Sequence, residues 1–150
     1  MKDIRAKIIA LLSTGNCTPQ ISQLAKKLKE PASTIHYNIK RLEHEGIIKI
    51  YKAVYNYKLI DKGHCTYLLA HLNEKQYSNP EETAQKISEF SEVESVDIIT
   101  GEYELIIKLR TKDIDEYYTF IKRVIKQYGI TKTVSMTSLN QAKTEFVKMD

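Results

Sequence analysis

Along the first third of the chain, apolar residues recur at helical spacing. Ile4, Ile8, Leu11 and Leu12 form a stripe over residues 2–13, which Gly15 and Asn16 bring to a stop. Thr18 is placed to cap a second helix with Pro19 at its first position, where a missing N–H costs nothing. The inner side of that helix is Ile21, Leu24, Ala25 and Leu28. Lys29-Glu30-Pro31 then forces a turn, because the residue before proline is pushed out of helical geometry. A third helix runs from about Ala32 to Glu45, and Gly46 ends it. With Ile35 at the centre of its inner side and about 100° per residue, Ile39, Leu42 and Gly46 fall on that side. Ser33, Tyr37, Lys40 and His44 fall opposite, with His36 and Arg41 on the flanks.

The pattern then changes period. "IIKIYKAVYNY" (47–57) is rich in β-branched and aromatic residues and predicts a strand, broken by "LIDKG". "HCTYLLAHL" (64–72) predicts another. Asn79-Pro80-Glu81-Glu82 supplies a cap, a proline and a capping-box glutamate for a helix that buries Ala84, Ile87 and Phe90. "VESVDIIT" (93–100) and "YELIIKLRT" (103–111) are strands joined through Gly101. Asp113 and Glu116 form a second capping box, opening a helix whose inner side is Ile114, Tyr117, Ile121, Val124 and Ile125. "ITKTVSMTSL" (130–139) alternates as a last strand. The order βαββαβ predicts a ferredoxin-like sandwich of one sheet and two helices. The chain is thus α+β: a helix-turn-helix domain of the winged type over 1–50, a β-strand linker over 51–62 and the sandwich over 63–150.

Charge sharpens the division. Residues 1–60 carry 11 Lys/Arg against 4 Asp/Glu, whereas residues 61–150 carry 12 against 15. The positive charge lies where it can meet a polyanion. No apolar run reaches the length of a membrane span and the start lacks a signal-peptide core, so a cytoplasmic protein without membrane contact is expected. Cys17 and Cys65 form no C-x-x-C pair and are read as free thiols.

Two short helices, a tight turn and a third helix with a polar outward face make a helix-turn-helix, whose last helix lies in a major groove of double-stranded DNA. A solvated helix usually pairs glutamate with lysine, but this outward face offers hydroxyls, a phenol, imidazoles and cations. Ser33, His36, Tyr37 and Lys40 are the candidate base readers, and Thr34, Arg41 and His44 complete the contacting surface. Lys26, Lys27 and Lys29 before the helix and Lys49, Lys52 and Lys58 after it supply phosphate contacts. The plain alternative is a solvated helix on a merely basic domain.

No catalytic constellation accompanies this. His64 and His71 stand an odd number of residues apart and face opposite sides of one strand, so no shared metal is expected, and no Gly-rich phosphate loop exists.

"STIHYNIKRLEHEGIIKIYKAV" resembles the recognition helix and following strand of the Lrp/AsnC (feast/famine) transcription regulators. "TGEYELIIKLRTKD" resembles that family's Thr-Gly-acid-Tyr-acid hairpin. The likeness spans nearly the whole chain. It departs at Lys29, where the family often has glycine, and at Pro31-Ala32, where it often starts the helix with Ser-Pro; the linker before Gly63 is also slightly long.

The resemblance implies a sandwich of the RAM type that dimerises through its sheet, dimers that assemble into an octamer, and an amino-acid effector bound between dimers. Carried over position by position, Ile98, Ile99, Thr100, Gly101, Glu102, Tyr103 and Glu104 form the wall for the ligand's amino and carboxylate groups. Tyr118 and Lys122 face its side chain, and Thr133, Val134 and Ser135 come from the partner dimer. A cation at Lys122 repels basic side chains and favours an acceptor, so L-glutamine is the favoured effector, ahead of asparagine, glutamate and aspartate. No cofactor is implied. Two rival readings stay open. One is an enzyme similar to siroheme decarboxylases, with His64 and His71 as its candidates. The other is an amino-acid-binding regulator without DNA affinity.

Overall fold

Helices α1 (Arg5–Ser13), α2 (Ile21–Leu28) and α3 (Ala32–His44) make the first of two units in a computed structural model that describes residues 4–143. The units divide between Tyr55 and Asn56. Residues 2 and 3 of the expected first helix lie outside the described residues. Ile35 and Ile39 of α3 are the buried apolar residues of this unit, at 7% and 9% exposure. Ile9, Leu12, Ile21, Leu24, Ala25 and Leu42 are half-buried.

The inner faces of α1 and α2 differ from expectation. Ile4, Ile8, Leu11 and Leu28 point outward, and Ile9 takes the inner place in α1. An apolar stripe wider than one helix contact leaves part of itself uncovered. Helix α2 also starts later than Thr18-Pro19 suggests. Gln20 is its N-cap, and the Gln20 carbonyl accepts the first N–H groups, from Gln23 and Leu24, each at 3.1 Å. The turn falls where Lys29-Glu30-Pro31 places it: Lys29 caps α2 in the left-handed region (φ 56°, ψ 41°), and Pro31 precedes α3.

The strand expected over 47–57 and the β linker over 51–62 do not form among the described residues, and Tyr57–Ile60 is a short 3-10 helix. The segment is held to the helices one contact at a time: Ile48 N–H donates to Leu42 O at 3.1 Å, and the Tyr55 hydroxyl donates to Ile9 O at 3.0 Å. β-Branched composition favours a pleated surface, but a ladder needs a second strand, and this chain presents none there.

The second unit is the expected sandwich. Strands β1 (His64–Leu72), β2 (Val93–Ile98), β3 (Leu105–Thr111) and β4 (Ile130–Thr137) form one antiparallel sheet in the order β2-β3-β1-β4. Helices α5 (Pro80–Ser88) and α6 (Ile114–Tyr128) bury one face of it. A short helix α4 (Glu74–Tyr77), capped by the Asn73 side chain, goes unforeseen, being a single turn. The core runs through Leu68, Ala70, Leu72, Ile87, Leu105, Ile107, Leu109, Phe120 and Val124. In α6 the inner side is Tyr117, Phe120, Ile121 and Val124, while Ile114 and Ile125 stand exposed. Phe120 closes the core edge-on against Phe90, ring centres 5.6 Å apart.

Both N-caps form, but neither glutamate closes its box onto the cap residue's own N–H: the Asn79 N–H donates to Gln76 O instead. Asn79 Oδ1 accepts the Glu82 N–H, and Asp113 Oδ1 accepts the Glu116 N–H at 2.9 Å. Glu116 reaches back past its cap residue to the N–H of Lys112. Among the described residues no helix is long and apolar enough to cross a membrane.

Candidate nucleic-acid interface and effector pocket

The outward face of α3 is the face the periodicity assigns. Ser33, Thr34, His36, Tyr37, Lys40, Arg41 and His44 are all exposed, with Tyr37 at 66%. They stand there because Ile35 and Ile39 fix the opposite side of the helix in the core. Lys26 and Lys27 lie in the last turn of α2, where cations suit the helix dipole, and both are exposed.

Sequence reasoning missed two things about this face. Its C-terminal half is paired internally: Lys40 Nζ lies 2.7 Å from Glu43 Oε2, and Arg41 Nε lies 2.6 Å from Glu45 Oε1. The face is therefore not free of glutamate–cation pairs, and the i,i+3 and i,i+4 spacing was the available signal. Tyr51, from the segment after α3, also donates its hydroxyl to Glu43 Oε1 at 3.1 Å. The hydrogen bond to Glu43 raises the Lys40 ammonium above its ordinary value, and the Lys40 bond lowers the Glu43 carboxyl.

In the second unit the hairpin between β2 and β3 carries the expected wall. Ile99 N–H donates to Glu104 O at 2.9 Å, closing the turn. Gly101 sits at φ 121°, a conformation that side chains resist, while the space around it is open. Its glycine is required by the backbone angle and not by crowding within this chain. Thr100, Gly101 and Glu102 are exposed and Tyr103 is half-buried.

Glu104 turns inward. At 9% exposure it accepts the Leu72 N–H, and its Oε2 also lies 3.1 Å from His71 Nδ1, without the alignment of a hydrogen bond. Lys132 of β4 pairs with Glu102 and stands 5.4 Å from the Tyr103 ring centre. His71 and Lys132 are cross-strand neighbours, so both belong to the hairpin's surroundings. The hydrogen bond from Lys132 keeps the Glu102 carboxyl below its usual range.

The remaining effector candidates divide. Tyr118 and Lys122 pair on the exposed side of α6, the ammonium 4.2 Å from the ring centre. Among the described residues no hydrogen bond or ion pair joins them to the hairpin. Thr133, Val134 and Ser135 alternate across the sheet, as strand residues must. Thr133 and Ser135 share the helix-covered face, where Ser135 bonds the Tyr117 hydroxyl, and Val134 lies on the open face opposite Leu69. That open face carries Tyr67, Leu69, Ile106, Val134 and Met136 side by side. His64 and His71 face opposite sides of β1; His64 lies near Tyr117, 6.1 Å between ring centres. The described residues contain no cluster of three or more His, Cys, Asp or Glu arranged to hold a metal.

Residues 65–147 match the Lrp/AsnC ligand binding domain. An HTH-type transcriptional regulator of Pyrococcus abyssi is 32% identical over 131 residues, 87% of each chain. The HTH-type transcriptional regulator FL11 of Pyrococcus furiosus is 32% identical over 143 residues, covering 95% of this chain and 92% of that one. Among solved structures, the feast or famine regulatory protein of M. tuberculosis, complexed with L-methionine, has a TM-score of 0.77. It is 19% identical and covers 99% of this chain and 100% of that one.

Proposed function

Because this chain belongs to the Lrp/AsnC family of transcription regulators, we propose that it binds double-stranded DNA sequence-specifically through α3 and responds to an amino-acid effector, L-glutamine by preference. It is a regulator and not an enzyme. The observation that carries the DNA reading is the split of α3: Ile35 and Ile39 are buried, while Ser33, Tyr37, Lys40 and His44 stand outward. Such a face fits a major groove, where hydroxyl, imidazole and ammonium groups meet base edges. Lys26 and Lys27 supply phosphate contacts beside it.

Effector binding is supported by the match of residues 65–147 to the family's ligand binding domain and by a turn at Gly101 whose backbone is open. Consecutive N–H groups at such a turn suit a carboxylate. Lys122, held over Tyr118, favours a ligand side chain with an acceptor. The methionine bound to the M. tuberculosis neighbour agrees with the ligand class and leaves the preference for glutamine resting on Lys122.

Assembly is read from uncovered apolar surface. The open sheet face suits a second copy of the chain in a homodimer, and dimers then build an octamer. The protein acts in the cytoplasm.

A thermal-shift screen of the twenty amino acids, followed by selection from random duplexes with and without the stabilising one, tests the whole reading. A palindromic site and stabilisation by glutamine are expected. Selection that enriches no sequence contradicts the DNA role, and stabilisation by no amino acid contradicts the effector role.

A further inference from the structure

We propose that Glu43 is a positioning residue of the DNA interface: fixed by the Tyr51 hydroxyl, it holds the Lys40 ammonium against α3 and reserves it for base edges instead of phosphates. The assignment rests on the reading of α3 as the recognition helix.

Three observations lead to it. Glu43 is the fixed member of the group, its side chain 29% exposed and bonded on both carboxylate oxygens, Lys40 on one and Tyr51 on the other. Lys40 is the exposed member, its side chain 62% open to solvent. Over residues 40–45, Lys40 and Arg41 are matched by Glu43 and Glu45, so the C-terminal half of α3 is electrically balanced. The excess charge of the unit lies outside that half of α3, on Lys2, Arg5 and Lys7 at the start of the chain, on Lys26, Lys27 and Lys29 at the end of α2, and on Lys49 and Lys52 after α3.

A balanced helix set between basic flanks separates two tasks. The flanks attract the backbone of any duplex, because phosphate contacts carry no sequence information. On the helix, a phosphate drawn to Lys40 also meets the Glu43 carboxylate. An exposed lysine–glutamate pair is weak, so Glu43 does not lock Lys40 away. It instead makes a phosphate the poorer partner and leaves base acceptors, which bear no net charge, as the better one. Tyr51 matters because a carboxylate free to swing aside would lose this bias. Glu45, which pairs with Arg41, has no such second contact among the described residues.

The test is equilibrium binding of the full-length protein to a selected duplex and to a scrambled one across a range of salt. Glu43→Gln should steepen the slope of log affinity against log salt by about 0.9 for each engaged helix, the signature of one new phosphate contact. It should also tighten binding to the scrambled duplex more than to the selected one, so that discrimination falls. Tyr51→Phe should move both readouts the same way and by less. Lys40→Ala combined with Glu43→Gln should return the slope to that of the wild type. Melting temperatures of the free variants separate these effects from loss of fold. An unchanged slope in Glu43→Gln overturns the assignment, as does a steep slope that persists in the double variant. A wild type that binds neither duplex overturns the recognition-helix reading itself, and this assignment with it.

Discussion

The carboxylate of Glu104 accepts the backbone N–H of Leu72 at 2.8 Å from within the sandwich. The β1–β4 ladder shifts register between His71 and Leu72, and the buried carboxylate serves the donor at that shift. Glu104 thereby ties the hairpin to the end of β1, and its own N–H donates to Ala70 O at 3.2 Å. Glu104→Ala leaves a buried donor unmet and should cost about 1–3 kcal/mol in urea unfolding. Glu104→Gln keeps an acceptor and should cost less. Equal stability of the alanine variant and the wild type would contradict this role.

Two left-handed positions should respond in opposite directions. At Gly129, which caps α6 at φ 62°, an added Cβ would run into the Asn73 side-chain amide, so Gly129→Ala should lower the melting temperature by several degrees. At Lys29 the same region is occupied by a residue with a Cβ, and Lys29→Gly should stabilise the first unit by about 1 kcal/mol. Both are read by thermal unfolding followed by circular dichroism.

Acid should act through Glu94. Burial opposes its ionisation, yet hydrogen bonds from Arg110 and Lys108 outweigh burial and hold the carboxyl below the usual glutamate range. A carboxyl lowered in the folded state stabilises fully above its unfolded value, about 4.3, and loses that stabilisation as pH falls through the folded one. Stability should therefore decline as pH drops below about 5, and Glu94→Gln should start lower at neutral pH and decline less. A parallel decline in both proteins would remove Glu94 from the account.

The elements with strong local signals were legible in the chain. Asn79 and Asp113 announce their helices, and Lys29-Glu30-Pro31 announces the turn between α2 and α3. Residues 47–56 were misread because composition reports an aptitude for pairing and carries no information about a partner. Which side of α1 turns inward, Ile9 or Ile8, depends on what packs against it, as does the burial of Phe120 in place of Ile114 and Ile125. The outward face of α3 followed from its period. The spacing of Lys40 and Glu43 on one helix was legible, whereas the Tyr51 hydroxyl on Glu43 and the pairing of Lys132 with Glu102 join residues that only the fold brings side by side.

The proposed effector pocket carries a charge rule. Lys122→Glu should abolish stabilisation by glutamate and aspartate first and admit lysine or arginine, as measured by calorimetry. Gly101→Val should lose every amino acid, since a β-branched residue resists φ 121° at the turn, while DNA binding by the dimer persists. Full ligand response in the Gly101 variant, or a wild type that prefers arginine to glutamine, would refute the pocket.

The central claim is that α3 reads bases while the end of α2 holds phosphates. Its most direct measurement compares wild type, Tyr37→Ala and Lys27→Ala on a selected and a scrambled duplex at several salt concentrations. Tyr37→Ala should lose about 1–3 kcal/mol on the selected duplex alone. Lys27→Ala should weaken both duplexes equally and make the salt slope shallower by about 0.9. Full discrimination retained by Tyr37→Ala, with Lys27→Ala binding as the wild type does, would contradict the account.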